Sequence, residues 1–351
     1  MTAAKKKNPR RKQARFRSSR RKRIRNTVLL LFLLVVLGGT GIGAIYVLRN
    51  GTVFDKLEDA YVASREFSGG ITDLDSLRAD GFAKNLCVVV SDVPMDGVSL
   101  GENQKGLLLD LDDRKVLYSK QALQKVYPAS ITKIMTAMLA LKYGNMDDVV
   151  TITQENLNLE EGSQVCGFWA GDQVTMDQLL HCLLVYSGND AAAAIAEHVG
   201  GSTDGFVEMM NSYARELGCT GTHFTNPHGL QDENHYTTPY DIYLMLKEAL
   251  NYPEFTQITQ SGSYTVEYTH ADGSSASTTL LATDHYLTGE ATPPKNVTIL
   301  GGKTGTTDNA GNCLALLSQN AYGKPYISIV MGASTKDELY EQMSSLLQNI
   351  N

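Results

Sequence analysis

The stretch that decides the fold runs from Pro128 to Leu141 and reads PASITKIMTAMLAL. Its apolar residues recur at steps of three and four from Ile131 onward, which is the spacing of a helix with an apolar face. Pro128 stands where proline suits the beginning of a helix. The stretch therefore predicts a helix that begins at Ser130.

Ser130 and Lys133 are three residues apart, so a helix places their side chains on one face. A serine hydroxyl is a poor nucleophile until a base removes its proton, and Lys133 is a base only if it is partly desolvated or close to other cations. The free N–H groups at a helix start favour negative charge that develops near Ser130. The S-x-x-K pattern is weak on its own, because Ser19 to Lys22 repeats it in the basic N-terminal segment.

A second motif, Ser187-Gly188-Asn189-Asp190, falls in a turn between two predicted helices. The hydroxyl of Ser187 is suited to relaying protons. The amide of Asn189 is suited to fixing Lys133 and to accepting a substrate N–H. Ordinary helix capping is the alternative role for these two residues.

A third motif, GGKTGTT at 301–307, ends a predicted strand. Lys303 offers a fixed cation to an anionic substrate end, and the hydroxyls beside it add hydrogen bonds. The flanking glycines permit close approach of another backbone. A glycine-rich turn with a solvated lysine is the alternative interpretation.

Helical patterns dominate the middle of the sequence, and strand patterns flank them at both ends. Strands are expected at 86–90, 106–111, 297–303, 312–318 and 326–332, with a hairpin over 263–280. These patterns predict an α+β fold, in which one antiparallel sheet of N- and C-terminal strands carries a helical cluster.

The three motifs occur in the order and in the structural contexts that penicillin-binding proteins and class A β-lactamases share. The chain resembles the serine-type D-alanyl-D-alanine carboxypeptidases, also called low-molecular-weight penicillin-binding proteins, from roughly Lys84 to its C-terminus. The stretches that carry the resemblance are PASITKIMTAMLAL, SGNDAAAAIAEHVGG, MNSYARELGCTGTHFTNPHGL and GGKTGTTDNAGNCLALLS. The resemblance implies a β-lactamase/transpeptidase-like fold.

The resemblance also implies catalytic roles. Ser130 would attack the carbonyl of the penultimate D-alanine in a peptidoglycan stem pentapeptide, and Lys133 would take the hydroxyl proton. Ser187, with Asn189 near it, would pass a proton to the leaving amine. Water would then hydrolyse the acyl-enzyme, and β-lactams would acylate Ser130 as covalent inhibitors.

Substrate binding is assigned by the same resemblance to Lys303, Thr304, Gly305 and Thr306. Lys303 and Thr304 would hold the terminal carboxylate of the peptide. The backbone N–H groups of Ser130 and Thr306 would form the oxyanion hole. The resemblance implies no cofactor and no metal.

The N-terminal region differs sharply in charge from the rest of the chain. Residues 1–26 hold 13 lysines and arginines and no acidic residue, and residues 27–48 are uncharged and mostly apolar. About 20 apolar residues span a bilayer, and the Lys/Arg excess marks the cytoplasmic side. We expect a cytoplasmic tail at 1–26, a transmembrane helix at 27–48, a stalk at 49–83 and an extracellular catalytic domain at 84–351. A cleaved signal peptide and a nucleic-acid-binding tail are less favoured, because the apolar run is long and membrane orientation explains the charge.

The cysteines and histidines predict neither a disulfide framework nor a metal site. The cysteine count is odd and lacks a C-x-x-C pair, which favours buried small apolar residues. The three histidines His223, His228 and His235 match no zinc spacing, so we expect a structural role for His228. The five cysteines are Cys87, Cys166, Cys182, Cys219 and Cys313.

Three other functions remain open on the sequence alone. A class A-like β-lactamase would need a glutamate and a bound water for deacylation, but the E-N-L-N segment at 155–158 precedes the S-x-N motif. An endopeptidase would cut cross-links with the same residues. A non-catalytic wall-binding or β-lactam-sensing module is disfavoured, because all three motifs are intact.

Overall fold

A five-stranded antiparallel sheet forms the centre of the protein, in a computed structural model that describes residues 85–350. The strands of the described residues are β1 (Lys105–Asp110), β2 (Lys115–Lys120), β3 (Val149–Thr151), β4 (Gln173–Thr175), β5 (Ser263–Thr269), β6 (Ser275–Leu281), β7 (Thr298–Thr307), β8 (Gly311–Gln319) and β9 (Pro325–Ala333). The central sheet has the order β2-β1-β9-β8-β7. Strands from the two ends of the described chain therefore pair, with Leu107 opposite Ile329.

The helices lie between and beside these strands. They are α1 (Lys133–Tyr143), α2 (Met176–His181), α3 (Asn189–Gly200), α4 (Thr203–Glu216), α5 (Pro239–Ala249), α6 (Pro253–Thr259), α7 (His285–Thr288) and α8 (Lys336–Leu347). A 3₁₀ turn at Ala129–Thr132 leads into α1, and a π turn at Cys182–Tyr186 follows α2. The helix expected from Ser130 thus begins in 3₁₀ geometry and becomes α-helical at Lys133.

Helices cover both faces of the central sheet. Successive side chains of a strand point to opposite faces, and in β1 Leu107 and Leu109 pack into the helical cluster while Leu108 packs on the other side. The second face is covered by α8, through residues such as Met343 and Leu346. The fold therefore has three layers, with the helical cluster, the sheet and α8 in that order.

Helix α1 lies inside the helical cluster. Residues from Lys133 to Ala140 are all buried. Helix α1 contacts α3, α4 and α5. A helix that is enclosed on all sides holds Lys133 away from water, and this burial sets the chemistry of the site.

The predicted α+β class, with an antiparallel sheet and a helical cluster, is confirmed. The hairpin expected at 263–280 is present as β5 and β6, but it joins a second, four-stranded sheet of order β3-β4-β5-β6 that the sequence did not predict. Strands β3 and β4 have three residues each, too few for an alternating pattern. The strand expected at 86–90 is wrong, since the Cys87 N–H donates to the Tyr243 hydroxyl at 2.9 Å instead of to a strand.

All five cysteines are buried, as predicted, and none of them forms a disulfide. The expected tail at 1–26, transmembrane helix at 27–48 and stalk at 49–83 lie outside the described residues. Between residues 85 and 350, no helix has the length and apolar character that crossing a bilayer requires.

The burial of α1 predicts a large stability cost for truncating its core side chains. Leu139→Ala should reduce the free energy of unfolding by about 2–5 kcal/mol, because a fully buried leucine leaves a cavity. Leu281→Ala is the matched control, since Leu281 is 63% exposed and its truncation should change stability by less than about 0.5 kcal/mol. Urea unfolding followed by circular dichroism measures both, and equal midpoints for the two variants would contradict the packing described here.

Candidate active site

One cavity of about 320 Å³ gathers residues from all three sequence motifs. It opens where the 3₁₀ turn before α1, the turn before α3 and the strand β7 meet. Six of the eight predicted site residues line it, namely Ser130, Ser187, Asn189, Thr304, Gly305 and Thr306. The other two, Lys133 and Lys303, are almost fully enclosed behind this lining, with 0% and 1% of their surface exposed.

The side chain of Lys133 lies against the hydroxyl of Ser130, with 2.8 Å between Nζ and Oγ. The same Nζ lies 2.7 Å from Oδ1 of Asn189 and 2.8 Å from the backbone oxygen of His228. Both carbonyl oxygens can only accept hydrogen bonds. They therefore take two N–H groups of Lys133, and the remaining tetrahedral position of a neutral amine, its lone pair, faces the Ser130 hydroxyl.

The protonation state of Lys133 follows from its surroundings. Burial first, and the nearby Lys303 ammonium second, hold the pKa of Lys133 well below its usual range. No carboxylate lies within salt-bridge distance of its amine among the described residues. A buried amine without a paired anion gives up its proton, so Lys133 is suited to accept one from Ser130.

The backbone before Ser130 is held in an uncommon conformation. Ala129 has φ 47° in the left-handed region, which costs of order 1 kcal/mol or more for a residue with a side chain. Gly229 and Gly305 pack closely against the backbone of this segment. A Cβ on Gly229 would lie 1.9 Å from the Ala129 oxygen, and one on Gly305 would lie 3.0 Å from the Ser130 nitrogen. Glycine is required at 229 for the 226–230 loop to approach the nucleophile so closely, and a Cβ at 305 would make tight contacts that β7 could relieve only by a small shift.

The loop Asn226-Pro227-His228-Gly229-Leu230 is a part of the site that sequence reasoning missed. Oδ1 of Asn226 accepts from the Gly229 N–H at 2.7 Å, and its Nδ2 donates to the Leu230 oxygen at 3.1 Å. These bonds fix the His228 carbonyl that contacts Lys133. Burial lowers the pKa of the His228 imidazole to about 3, so the ring adds no charge beside the amine. The segment is part of a stretch that carried the family resemblance, but a backbone carbonyl leaves no side-chain signal of its role.

Ser187 ends the π turn with φ 69°, a left-handed conformation that turns its side chain into the cavity. Its Oγ is buried and has no hydrogen-bond partner among the described residues. A buried hydroxyl without a partner is costly, unless a ligand completes it. Ser187 is therefore placed to exchange a proton with a group bound in the cavity.

Strand β7 forms the wall opposite Ser187 and lies at the edge of the central sheet. Burial lowers the pKa of Lys303 to about 7, and the carboxylate of Asp284 acts in the opposite direction. Thr304 Oγ1 lies 2.5 Å from Thr283 Oγ1, while Thr306 Oγ1 donates to Asn312 Oδ1 at 3.1 Å. The wall therefore presents the hydroxyls of Thr304 and Thr306, and Lys303, whose charge depends on pH near neutrality. Neither Thr283 nor Asp284 belongs to a motif, so sequence analysis could not identify them.

The arrangement is suited to transferring an acyl group to a serine. It combines a nucleophile with a neutral amine, an unpaired hydroxyl and a buried cation around one small cavity. Among residues 85–350, no cluster of three His, Cys, Asp or Glu side chains could hold a metal ion.

Comparison with known proteins agrees with this chemistry. The family model for D-alanyl-D-alanine carboxypeptidases, peptidase S11, matches residues 101–335. The D-alanyl-D-alanine carboxypeptidase DacF of Bacillus subtilis is 36% identical over 251 residues, which are 70% of this chain and 61% of DacF. DacC of Escherichia coli is 33% identical over 253 residues, which are 69% of this chain and 59% of DacC. The chain therefore spans about three fifths of the length of these curated relatives.

Solved structures extend the likeness to the fold. The Streptomyces K15 DD-transpeptidase superposes with a TM-score of 0.65 at 27% identity, over 74% of this chain and 98% of that one. A D-alanyl-D-alanine carboxypeptidase from Mycobacterium tuberculosis superposes with a TM-score of 0.63 at 28% identity, over 74% and 93% of the two chains. With the motif residues gathered around one cavity and the family match covering two thirds of the sequence, the chain belongs to the peptidase S11 family of D-alanyl-D-alanine carboxypeptidases.

Proposed function

We propose that this protein is a serine carboxypeptidase that removes the terminal D-alanine from peptidoglycan stem pentapeptides through an acyl-enzyme on Ser130. The observation that carries the proposal is the contact of 2.8 Å between Ser130 Oγ and Nζ of the fully buried Lys133. The relatives DacF and DacC support it, since both are D-alanyl-D-alanine carboxypeptidases.

In the acylation step, the Lys133 amine takes the proton of Ser130 while Oγ attacks the carbonyl carbon of the penultimate D-alanine. The carbonyl oxygen becomes an oxyanion, and we assign its stabilisation to the N–H groups of Ser130 and Thr306, as the family resemblance implies. The C–N bond then breaks. The leaving D-alanine amine receives a proton that passes from Lys133 by way of the Ser187 hydroxyl.

In the deacylation step, a water molecule replaces the departed D-alanine. Lys133, again neutral, accepts a proton from this water as the water oxygen attacks the ester carbonyl. Collapse of the tetrahedral intermediate returns the proton to Ser130 Oγ and releases the shortened peptide. Asn189 holds Lys133 in place through both steps, since its Oδ1 accepts from Nζ at 2.7 Å.

Recognition of a free C-terminus falls to strand β7. Protonated Lys303 supplies the positive charge and Thr304 supplies a hydroxyl for the terminal carboxylate. Because Lys303 is buried, its charge acts in a medium of low dielectric and discriminates strongly against an uncharged end.

A β-lactamase function is less well supported. None of the described residues that line the cavity is a glutamate or an aspartate. The segment 155–158 lies elsewhere, where Nδ2 of Asn156 donates to Glu197. A β-lactam differs from the peptide because its leaving nitrogen stays attached to the acyl group, so nothing departs to make room for the water that Lys133 would activate. Since the described lining of the cavity also has no carboxylate that could hold a second water, the penicilloyl ester on Ser130 should persist, and nitrocefin should label the protein stoichiometrically rather than be turned over.

We further propose that residues 27–48 anchor the protein in the membrane and place the catalytic domain outside the cytoplasm. The uncharged apolar run and the 13 basic residues before it support this topology. Peptidoglycan stem peptides lie on the same side of the membrane.

The first prediction tests the nucleophile. Ser130→Ala should lower D-alanine release from a stem pentapeptide by at least about 1,000-fold, because the acyl-enzyme cannot form. It should also abolish covalent labelling by fluorescent penicillin, read as an intact-mass increase. Ser345→Ala, at a half-exposed serine of α8 outside the cavity lining, is the control and should keep both properties. Turnover that survives in Ser130→Ala would refute the mechanism.

The second prediction concerns the pH dependence of substrate recognition. Lys303 is protonated below its pKa of about 7 and loses its charge as the pH rises. The kcat/KM for a carboxylate-ended peptide should therefore fall above pH 7, approaching roughly tenfold per pH unit. Asp284→Asn removes the anion that favours the charged lysine, so the fall should begin at lower pH.

The control for this pH profile is the same peptide with a C-terminal amide. Its kcat/KM should be low throughout and should lack the fall above pH 7, because it carries no anion for Lys303 to bind. Identical profiles for the acid and the amide would rule out Lys303 as the carboxylate partner.

The third prediction of this section tests the membrane topology. The full chain should sediment with membranes through an alkaline carbonate wash and dissolve only in detergent. Protease added to intact cells should digest the catalytic domain and leave a tag at residue 1 protected. A chain released by the alkaline wash, or a tag that is digested, would contradict the proposed anchor.

A further inference from the structure

The single tryptophan of the chain is displayed on the surface. Trp169 lies in the loop before β4 and is 67% exposed. Exposing an indole forgoes a large hydrophobic gain, since aromatic side chains dominate core and interface energetics. A tryptophan that is both exposed and fixed in position therefore calls for a binding role.

Trp169 is held in place by the hydrogen-bonded pair of His270 and Asp172. Its ring stacks on the His270 imidazole, with 4.7 Å between centroids and 19° between planes. Nδ1 of His270 lies 2.7 Å from Oδ1 of Asp172, a residue with 0% exposure. The other oxygen of Asp172, Oδ2, accepts from the backbone N–H of Trp169 at 2.8 Å. The imidazole covers one face of the indole, so the exposed two thirds of Trp169 includes the opposite face.

The residues beside Trp169 keep the loop rigid. Phe168 is buried and meets Tyr268 edge to face, at 5.2 Å between centroids. Gly167 and Gly171, with φ of 90° and 94°, supply the left-handed turns on either side. The chain thus anchors Phe168 in the core and turns Trp169 outward.

The loop that presents Trp169 is part of the catalytic cavity. Gln164 lines the cavity, and its backbone oxygen accepts from the Asn189 N–H at 2.8 Å. Two residues on, the Cys166 N–H donates to the buried Asp190 carboxylate at 2.8 Å. The S-G-N-D motif therefore holds both the catalytic groups and the base of the Trp169 loop.

The chain that joins the cavity to Trp169 is short enough for a stem peptide to cover the distance between them. Five residues from Gln164 to Trp169 reach at most about 17 Å. Four peptide residues separate the scissile bond of a stem pentapeptide from its sugar, and they span roughly 13–14 Å when extended. A sugar that carries a bound stem peptide is thus within reach of the open indole face.

We propose that Trp169 is a saccharide-binding platform that stacks on an N-acetylated amino sugar of the peptidoglycan glycan strand. The proposal rests on the carboxypeptidase function proposed above. A flat, rigid, uncharged ring suits the apolar C–H face of a pyranose, as it suits other flat apolar ligands at interfaces. Exposed Asp272 lies on the adjoining hairpin, which disfavours an anionic lipid surface as the partner.

The test uses Trp169 as its own probe, because it is the only tryptophan in the full chain. Glycan strands freed of stem peptides by an amidase should shift its emission in a saturable manner when added to the full chain in detergent. A glucose polymer lacking acetamido groups is the specificity control. Chito-oligosaccharides separate a general preference for N-acetylated sugars from a preference for the peptidoglycan strand.

Three variants connect the platform to function. Trp169→Ala should weaken binding to insoluble peptidoglycan at least fivefold and slow D-alanine release from it, while kcat/KM on a soluble pentapeptide stays within twofold. His270→Ala should produce a smaller loss and lower the fluorescence anisotropy of Trp169. Tyr322→Ala is the matched control, since Tyr322 is 91% exposed in the turn between β8 and β9 and should bind as the unchanged protein does.

Two outcomes would overturn the proposal. One is unchanged peptidoglycan binding by Trp169→Ala. The other is a Trp169 signal that ignores glycan but is quenched by brominated lipids after reconstitution into vesicles, which would make the residue a membrane contact. Failure of the enzyme on the soluble pentapeptide would instead count against the carboxypeptidase function, and glycan binding can be measured independently of it.

Discussion

The burial of the Lys133 amine is the constraint on which the site depends. An ammonium group without water or a paired anion is expensive, so the neutral amine prevails and can act as a base. That state requires α1 to be enclosed by other helices, and it requires acceptors that satisfy the N–H groups without adding negative charge. The carbonyls of Asn189 and His228 meet both conditions. Three distant segments of the chain must therefore converge before Ser130 gains any reactivity.

Two buried lysines lie near each other in this site, and their surroundings give them opposite tasks. Among residues 85–350, the Lys133 amine hydrogen-bonds only with a hydroxyl and two carbonyl oxygens, and the charge of Lys303 further disfavours its protonation. The buried carboxylate of Asp284 favours the protonated form of Lys303. Its Oδ2 has no hydrogen-bond partner among the described residues. The same side chain thus serves as a base at one position and as a cation at the other, a division that environment alone creates.

The sequence pointed to the motif side chains of the site, but not to its backbone groups or to the side chains of Thr283 and Asp284. Helical periodicity and the three motifs pointed to Ser130, Lys133 and Lys303, because the residue type alone specifies the chemistry of a side chain. The role of the His228 carbonyl could not be predicted from the sequence, since every residue has a backbone carbonyl. Only the fold determines which of them contacts Lys133. The second sheet was missed for a related reason: three-residue strands carry no period, and their pairing depends on the long hairpin that they join.

The size of the cavity limits what it can recognise to the end of a peptide, and leaves recognition of a larger ligand to the surface around it. At about 320 Å³ it is at the small end of ligand pockets, so it accommodates the end of a peptide and little more. Glycines at 229 and 305 keep it narrow, because a side chain at either position would crowd the segment before Ser130. A site this small cannot distinguish a stem peptide on a polymer from the same peptide in solution. On the proposed function, a preference for stem peptides attached to the polymer would have to come from rigid surface outside the cavity, and the loop held by the Asp190 carboxylate offers such a surface.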